Sequence, residues 1–347
     1  MDLLLHGFAT VLQPQIFFIL VAGTLGGIII GSLPGLTATM GVALLTPLTF
    51  SLPPATGLVM LCGIYCGAIY GGSISAILIR TPGTPAAAAT VFDGNELAKK
   101  GLAGKALGMS AIASCAGGVF SAMCLTFIAP ELARVALSFS SPEYFAMGLL
   151  GLSIVASISG DYVVRGLISA CIGLLVGLVG LDNLNGYPRF TFGLVDLLNG
   201  VSFIPVLIGL FAVSEALRTT ESMLKTAHVD FKLSGVLPSF SELRGCAKTI
   251  LKSSAIGTMI GIIPATGGDI AAFLAYGEAK RSSKNGDKFG TGELEGVAAP
   301  EAANNGVTGG ALIPLMTLGI PGDAVTAIFL GALMLQGLRP GPLLFKD

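Results

Sequence analysis

Two aspartates, Asp269 and Asp323, stand beside Gly/Pro interruptions in stretches that are otherwise apolar, where an ionisable side chain is costly and usually functional. The interruption Pro264-Ala265-Thr266-Gly267-Gly268-Asp269 has a counterpart in Pro34-Gly35-Leu36-Thr37-Ala38-Thr39. Likewise Gly319-Ile320-Pro321-Gly322-Asp323-Ala324 echoes Arg80-Thr81-Pro82-Gly83-Thr84-Pro85. Proline removes a backbone donor and clashes with the preceding turn, and glycine admits positive φ, so none of the four is continuous helix. A helix restarting after such a break turns free N–H groups and its positive dipole end into the gap, which attracts anions. Thr84 followed by Pro85, and Asp323, are the candidate N-caps of the restarted helices.

The predicted chemistry is binding. Pro34, Gly35, Thr37, Thr39, Thr81, Gly83, Thr84, Thr266, Gly267, Gly268 and Gly322 would form the substrate site, Pro34 by shaping the tip and the others by offering N–H groups and hydroxyls to an anion, with Arg80 as a cation. Asp269 and Asp323, with nearby carbonyls, would hold a coupling cation, sodium or a proton. Both aspartates fit the plainer role of helix cap, and Arg80 that of a cation paired for stability or reaching the surface. Asn304 and Asn305 lie at i+3 and i+4 from Glu301. They either reach the substrate or belong to a polar helix start at the cytoplasmic surface.

Little supports covalent chemistry, and no catalytic residue or organic cofactor is predicted. Cys62, Cys66, Cys115, Cys124, Cys171 and Cys246 lie mostly in apolar runs without a Cys-x-x-Cys pair, and the only histidines are His6 and His228. No metal site beyond sodium is therefore expected. Gly267-Gly268-Asp269 invites comparison with intramembrane aspartyl proteases, but Thr266 replaces the first glycine of Gly-x-Gly-Asp and no facing carboxylate is evident. The tract 280–295 lacks the order of a phosphate-binding loop. A net charge of -1 gives no basic field for nucleic acid.

The elements that position these residues must lie in a bilayer. Hydrophobic residues make up 53% of the 347 and charged residues only 11%, too little polar surface to coat a soluble globule. Residues 56–80, 106–130, 143–159, 164–181 and 197–217 read as spans. Residues 15–50 and 253–279 read as hairpins broken near Pro34 and Pro264. No Lys or Arg precedes Arg80, so no basic leader is seen and the first apolar segment is expected to stay in the mature protein.

Lys99, Lys100, Lys105, Arg165, the basic run from Arg218 to Lys252 and the run from Lys280 to Lys288 fall on one side, assigned to the cytoplasm. The first hairpin then opens outward and the second inward. Gly27-x3-Gly31-x2-Pro34 recurs as Gly257-x3-Gly261-x2-Pro264, and Tyr70-Gly71-Gly72 is echoed by Thr308-Gly309-Gly310. The expected fold is an all-α polytopic membrane protein with two inverted-topology repeats. The first, 1–105, holds hairpin 15–50 and broken helix 56–92. Residues 106–217 carry about four connecting spans, and 218–252 form a cytoplasmic basic loop. The second repeat, 253–347, holds hairpin 253–279 and broken helix 297–337.

Seven motifs carry a resemblance. They are Leu33-Pro34-Gly35-Leu36-Thr37-Ala38-Thr39-Met40, Tyr70-Gly71-Gly72-Ser73-Ile74-Ser75-Ala76-Ile77-Leu78, Pro82-Gly83-Thr84-Pro85, Asp93-Gly94, Pro188-Arg189-Phe190-Thr191-Phe192-Gly193, Pro300-Glu301-Ala302-Ala303-Asn304-Asn305 and Leu318-Gly319-Ile320-Pro321-Gly322. Together they resemble the large membrane subunit of bacterial tripartite tricarboxylate transporters, the TctA family. That resemblance implies uptake of citrate-like or other organic carboxylates by symport with sodium or protons, in the bacterial inner membrane. It implies two protein partners, a small membrane subunit and a periplasmic solute-binding protein. An anion channel or carboxylate exporter is the alternative. Ala265 stands where the family commonly has glycine, and Arg80 where it commonly has asparagine. Family members usually continue beyond the Pro340-Gly341-Pro342 region, so a chain ending at Asp347 is expected to be truncated relative to them.

Overall fold

A computed structural model describes residues 2–143, 145–146, 148–149, 162–182, 185–201, 206, 208–214, 217, 235, 237–264 and 266–345. The span expected at 143–159 falls largely outside these residues, as do Ala265 and residues 218–234 of the basic loop.

Proline placed at a helix start, where its missing donor costs nothing, opens both α2 (Pro14–Ser32), which follows α1 (Asp2–Val11), and α4 (Pro54–Ile79). Between them lies α3 (Ala38–Leu45), capped by Thr37, whose Oγ1 accepts the Met40 N–H at 3.2 Å. Pro47 then turns the chain into a 3-10 stretch, Thr46–Ser51. The returning arm of the first hairpin is thus shorter than the sequence suggests.

Beyond α4 the expected half-helix at Thr84 does not form. A single 3-10 turn, Pro85–Ala87, is followed by α5 (Val91–Lys99), and the Thr84 side chain makes no capping bond. The second interruption behaves as expected: α10 (Leu294–Leu318) stops at Gly319 and α11 (Ala324–Leu335) starts under a reciprocal cap between Asp323 and Thr326.

Connecting residues give α6 (Ala103–Ala136), about 51 Å long at 1.5 Å per residue, and α7 (Val163–Gly177). The expected span at 197–217 is described only in part, by 3-10 Val195–Asn199 and π-helical Ile208–Val213. One antiparallel ladder, β1 (Gly180–Leu181) with β2 (Pro188–Arg189), departs from an all-helical reading. The second hairpin is α8 (Phe240–Ile262) and α9 (Gly267–Ser282). Its first arm begins at Phe240 rather than 253, because Ser239 and Glu242 form a capping box inside what reads as basic loop.

Among the described residues α2, α4 and α6 are long and apolar enough to cross a bilayer. Their packing inverts that of a soluble helix. In α2, Gly23, Gly27 and Gly31 are buried while Phe17, Phe18, Leu25 and Ile29 are exposed, the arrangement that lets backbones approach in lipid. A Cβ added at Gly31 would sit 2.1 Å from the Ala68 carbonyl oxygen, and one at Gly257 would sit 2.1 Å from that of Ala303.

The returning contacts correspond too. Gly67 and Gly71 of α4 lie on the carbonyls of Thr24 and Ile28, as Gly306 and Gly310 of α10 lie on those of Ser254 and Thr258. Contact geometry therefore pairs Gly71 with Gly310, one residue from the register in which Tyr70-Gly71-Gly72 echoes Thr308-Gly309-Gly310.

The interior is shared between the two glycine-seamed pairs. Met40 and Val42 of α3 and Leu61, Ile64 and Tyr65 of α4 join Leu315 of α10 and Ile328 and Phe329 of α11 in one buried cluster. Helix α10 runs through the centre, with every residue from Gly296 to Leu315 buried.

Candidate functional site

All four interruptions open on one cavity of about 420 Å³. Its wall takes Thr37, Ala38 and Thr39 from the first hairpin tip, Thr84, Pro85 and Ala86 from the first break, Gly267, Gly268 and Asp269 from the second tip, and Asp323, Ala324 and Val325 from the second break. Ile69, Leu210 and Ser214 complete it. These are the first residues of α3, α9 and α11 and of the 3-10 turn. Three α-helix N-termini, each worth roughly half a positive charge, therefore converge on the same space.

Among the described residues, the ionisable side chains on the wall are two aspartates. Asp323 is fixed: Oδ1 accepts the Thr326 N–H and hydroxyl, both at 2.8 Å, and Oδ2 accepts the Tyr65 hydroxyl from α4. It is a helix cap that also lines the cavity. Asp269, at the third position of α9, is exposed and accepts no hydrogen bond from another described side chain. Thr84 is only 2% exposed, yet its Oγ1 has no hydrogen-bond partner among the described residues. That oxygen packs against α4, where a Cβ added at Gly72 would lie 2.3 Å from it, so the unpaired hydroxyl, costing about 1–3 kcal/mol, is turned into the helix seam.

Several expected site residues have other duties. A Cβ on Gly83 would lie 1.9 Å from the Gly31 carbonyl oxygen, and one on Gly322 would lie 2.7 Å from that of Gly261, so both are close-packing positions. The Thr266 hydroxyl donates to the carbonyls of Ile260 and Ile263, closing α8 instead of facing the cavity. Pro34 and Gly35 shape the first tip without lining the cavity, and Thr81 is exposed, its hydroxyl on the Ile79 carbonyl.

Arg80 is exposed and lines a different cleft, with Glu96, Tyr276, Lys280 and Phe289. It does not join the cavity because it is the left-handed residue ending α4. Asn304 and Asn305 do not touch the cavity either. Both are buried in α10, where Asn304 Nδ2 donates to the Ala86 carbonyl at 3.2 Å and so reaches the back of the cavity wall.

Sequence reasoning left Glu301 undecided between site and surface; it is 0% exposed. Thr90, Ser114 and Asn304 donate to its carboxyl group, and Ser110 Oγ lies 3.2 Å from Oε2. Tyr65, Ile69 and Ala86 were missed, lying in stretches with no local punctuation.

The sequence matches the model of the tripartite tricarboxylate transporter TctA family over residues 17–347. An uncharacterized 52.8 kDa protein in the TAR-I ttuC' 3' region of Agrobacterium vitis is 40% identical over 336 residues, covering 97% of this chain and 67% of that protein. An uncharacterized protein in the TAR-II ttuC' 3' region of the same organism is 48% identical over 86 residues, covering 25% of this chain and 36% of its own length. No solved structure matches the chain. The family is one of transporters, which removes the enzyme reading. With four helix interruptions closing on one cavity and a family match across nearly its whole length, the chain belongs to the TctA family, multi-pass membrane subunits of tripartite tricarboxylate transporters.

Proposed function

We propose that this chain is the translocation subunit of a secondary active, cation-driven uptake system for tricarboxylate-like or other organic carboxylates. The observation that carries the reading is the cavity walled by all four interruptions, onto which three helix N-termini converge. A carboxylate suits those amides, and Asp269 and Asp323 beside it suit a coupling cation, sodium or a proton. The two glycine-seamed helix pairs act as inverted-topology repeats. Rocking of one against the other exposes the cavity to each side of the bacterial inner membrane in turn. A periplasmic binding protein delivers substrate, and a small membrane subunit completes the translocator.

The test is uptake of labelled citrate and succinate into vesicles holding this subunit, its small partner and the binding protein, with sodium and pH gradients varied separately. Saturable, gradient-dependent accumulation is expected, and it should fall at least tenfold in Asp269→Ala. Non-saturating flux down the carboxylate gradient would assign a channel instead. Gradient dependence that survives replacement of both Asp269 and Asp323 in stably expressed protein would overturn the cation site.

A further inference from the structure

Glu301 sits at the end of a row of hydroxyls whose hydrogens can be counted. Its Oε2 lies 3.2 Å from Ser110 Oγ, Ser110 Oγ lies 2.6 Å from Ser73 Oγ, and Ser73 Oγ lies 2.8 Å from the Tyr70 carbonyl oxygen. These are three oxygen–oxygen contacts, but the two serines own one hydroxyl hydrogen each. If Glu301 is ionised, one contact has no hydrogen in it. A proton on Oε2 supplies the third. Glu301 then donates to Ser110, Ser110 to Ser73, and Ser73 to the Tyr70 carbonyl, with every contact filled. The other Oε2 neighbour, Ser114 at 3.0 Å, and the Oε1 neighbours Thr90 and Asn304 donate in either state.

The surroundings agree. Glu301 is 0% exposed and forms no ion pair with Lys, Arg or His among the described residues, so its charge would be balanced by dipoles alone. From α4 the titratable group facing it is Tyr70. From α6 come only Ser110 and Ser114, and from α8 the approach to α10 is made by Ser254, Gly257 and Thr258. The carboxylate on α5, Asp93, is held by the N–H groups of Gly290, Gly292 and Glu293 and by Tyr276 of α9.

We infer that Glu301 is a proton-binding site, loaded in the state described here, and that its proton is linked to the carboxylate cavity through Asn304 and Ala86. Asn304 gives one amide hydrogen to Glu301 Oε1 and the other to the Ala86 carbonyl on the cavity wall. Thr90, on the same segment, holds Oε1 directly. Unloading breaks the Oε2–H bond and passes the proton to water entering as α10 and the 85–90 segment part. The remaining carboxylate then needs Ser110 to reverse its hydroxyl, which leaves one contact in the row empty. Because an ionised carboxyl group without a cationic partner is costly to bury, protonation favours the state in which the 85–90 segment stays closed over Glu301 through Thr90 and Asn304. This inference rests on the transport reading for its role, but not for the existence of the proton.

Infrared difference spectroscopy across a pH series, on the purified complex in lipid, reads the proton without transport. A protonated-carboxyl carbonyl band is expected that vanishes in Glu301→Gln, persists in Asp269→Asn, and shifts in Ser110→Ala, where its hydrogen-bond acceptor is gone. In the same preparations, stimulation of citrate or succinate uptake by an imposed proton gradient should be lost in Glu301→Gln, while any sodium stimulation persists. Absence of the band, or its survival in Glu301→Gln, overturns the proton site. A band lost in Glu301→Gln with proton stimulation unchanged overturns its link to transport. Complexes that show the band but accumulate neither carboxylate would leave the proton site standing and sink the proposed function and its linkage.

Discussion

Arg80 and Gly319 occupy the same left-handed cap, with φ and ψ of 59° and 18° at the end of α4 and of 72° and 17° at the end of α10. Glycine takes this conformation freely, whereas a residue with a Cβ is strained there by roughly 1–2 kcal/mol. Asparagine tolerates the region better than arginine. Arg80→Asn should therefore stabilise the protein by up to about 1 kcal/mol, read as a higher unfolding temperature in detergent. Uptake should survive, since Arg80 lies outside the cavity. Loss of uptake without loss of stability would return Arg80 to the site.

The glycine seams make a second prediction. A methyl at Gly31 or Gly257 would fall 2.1 Å from a carbonyl oxygen of the partner helix, which the backbone can relieve only by separating. Gly31→Ala and Gly257→Ala should each cost about 1–3 kcal/mol, the range for overpacking. Gly118→Ala on α6, with nothing within 4 Å of the added carbon, serves as the neutral control. Equal losses at all three positions, by thermal unfolding, would overturn close approach as the cause, since helix propensity by itself favours alanine over glycine.

Tyr65 ties α4 to the cap of α11 by donating to Asp323. Removing a donor to a charged, part-buried group costs about 1.5–3 kcal/mol, so Tyr65→Phe should lower stability by that order. If Asp323 also holds the coupling cation, its freed oxygen changes the cation concentration giving half-maximal uptake. An unchanged value in Tyr65→Phe, with Asp269→Ala still altering it, would confine Asp323 to capping.

The interruptions were legible because proline and glycine act locally. Pro264 and Pro321 each have a glycine within the next three residues and end their helices, whereas Pro130, Pro300 and Pro314, without one so near, lie inside α6 and α10; the duplication of the pattern indicated that the breaks meet. What surrounds a break was harder to read. Thr84-Pro85 looked like a helix start, yet the chain makes one 3-10 turn and resumes as α5 at Val91. Arg80 drew attention by its charge, while its backbone conformation, which decides its role, has no sequence mark when the residue is not glycine. Glu301, Asn304 and Asn305 share a helix face, but spacing does not tell whether that face meets water or Ser110 and Ser114. Ser239-x2-Glu242 was a readable helix start hidden by the basic residues around it.

Glu242 also sets a pH prediction. Its carboxyl group is held down to about 2, first by Lys105, which donates to it at 2.8 Å, and then by Ser239. Because the folded value lies below the ordinary one, this contribution is complete above the unfolded pKa, near 4.3. It fades as pH falls from there toward about 2. The pair is about a third exposed, which limits it to roughly 0.5–1 kcal/mol. Protection against hydrogen exchange at the start of α8, taken relative to the intrinsic rate at each pH, should fall on acidification in the native protein. In Lys105→Met it should be lower already at neutral pH and fall less steeply. Parallel profiles would show that the ion pair contributes nothing.

Asp93 is the last group whose surroundings dictate an outcome. It is fully buried on α5, and its two oxygens take the N–H groups of Gly290, Gly292 and Glu293 at 2.7–3.0 Å and the Tyr276 hydroxyl at 2.9 Å. The carboxylate thus fixes the loop that leads into α10. Asparagine has the same shape but turns an NH2 group toward donors, so Asp93→Asn should cost about 2–3 kcal/mol and release the loop. Glutamate cannot rescue it, because a single carbon added at Gly296 would already lie 2.1 Å from Asp93 Oδ2, leaving no room for a longer side chain. Limited proteolysis and hydrogen exchange over residues 284–293 should report the release in both variants. Protection retained in Asp93→Asn would mean that the loop is held by the Tyr276–Phe289 ring contact instead.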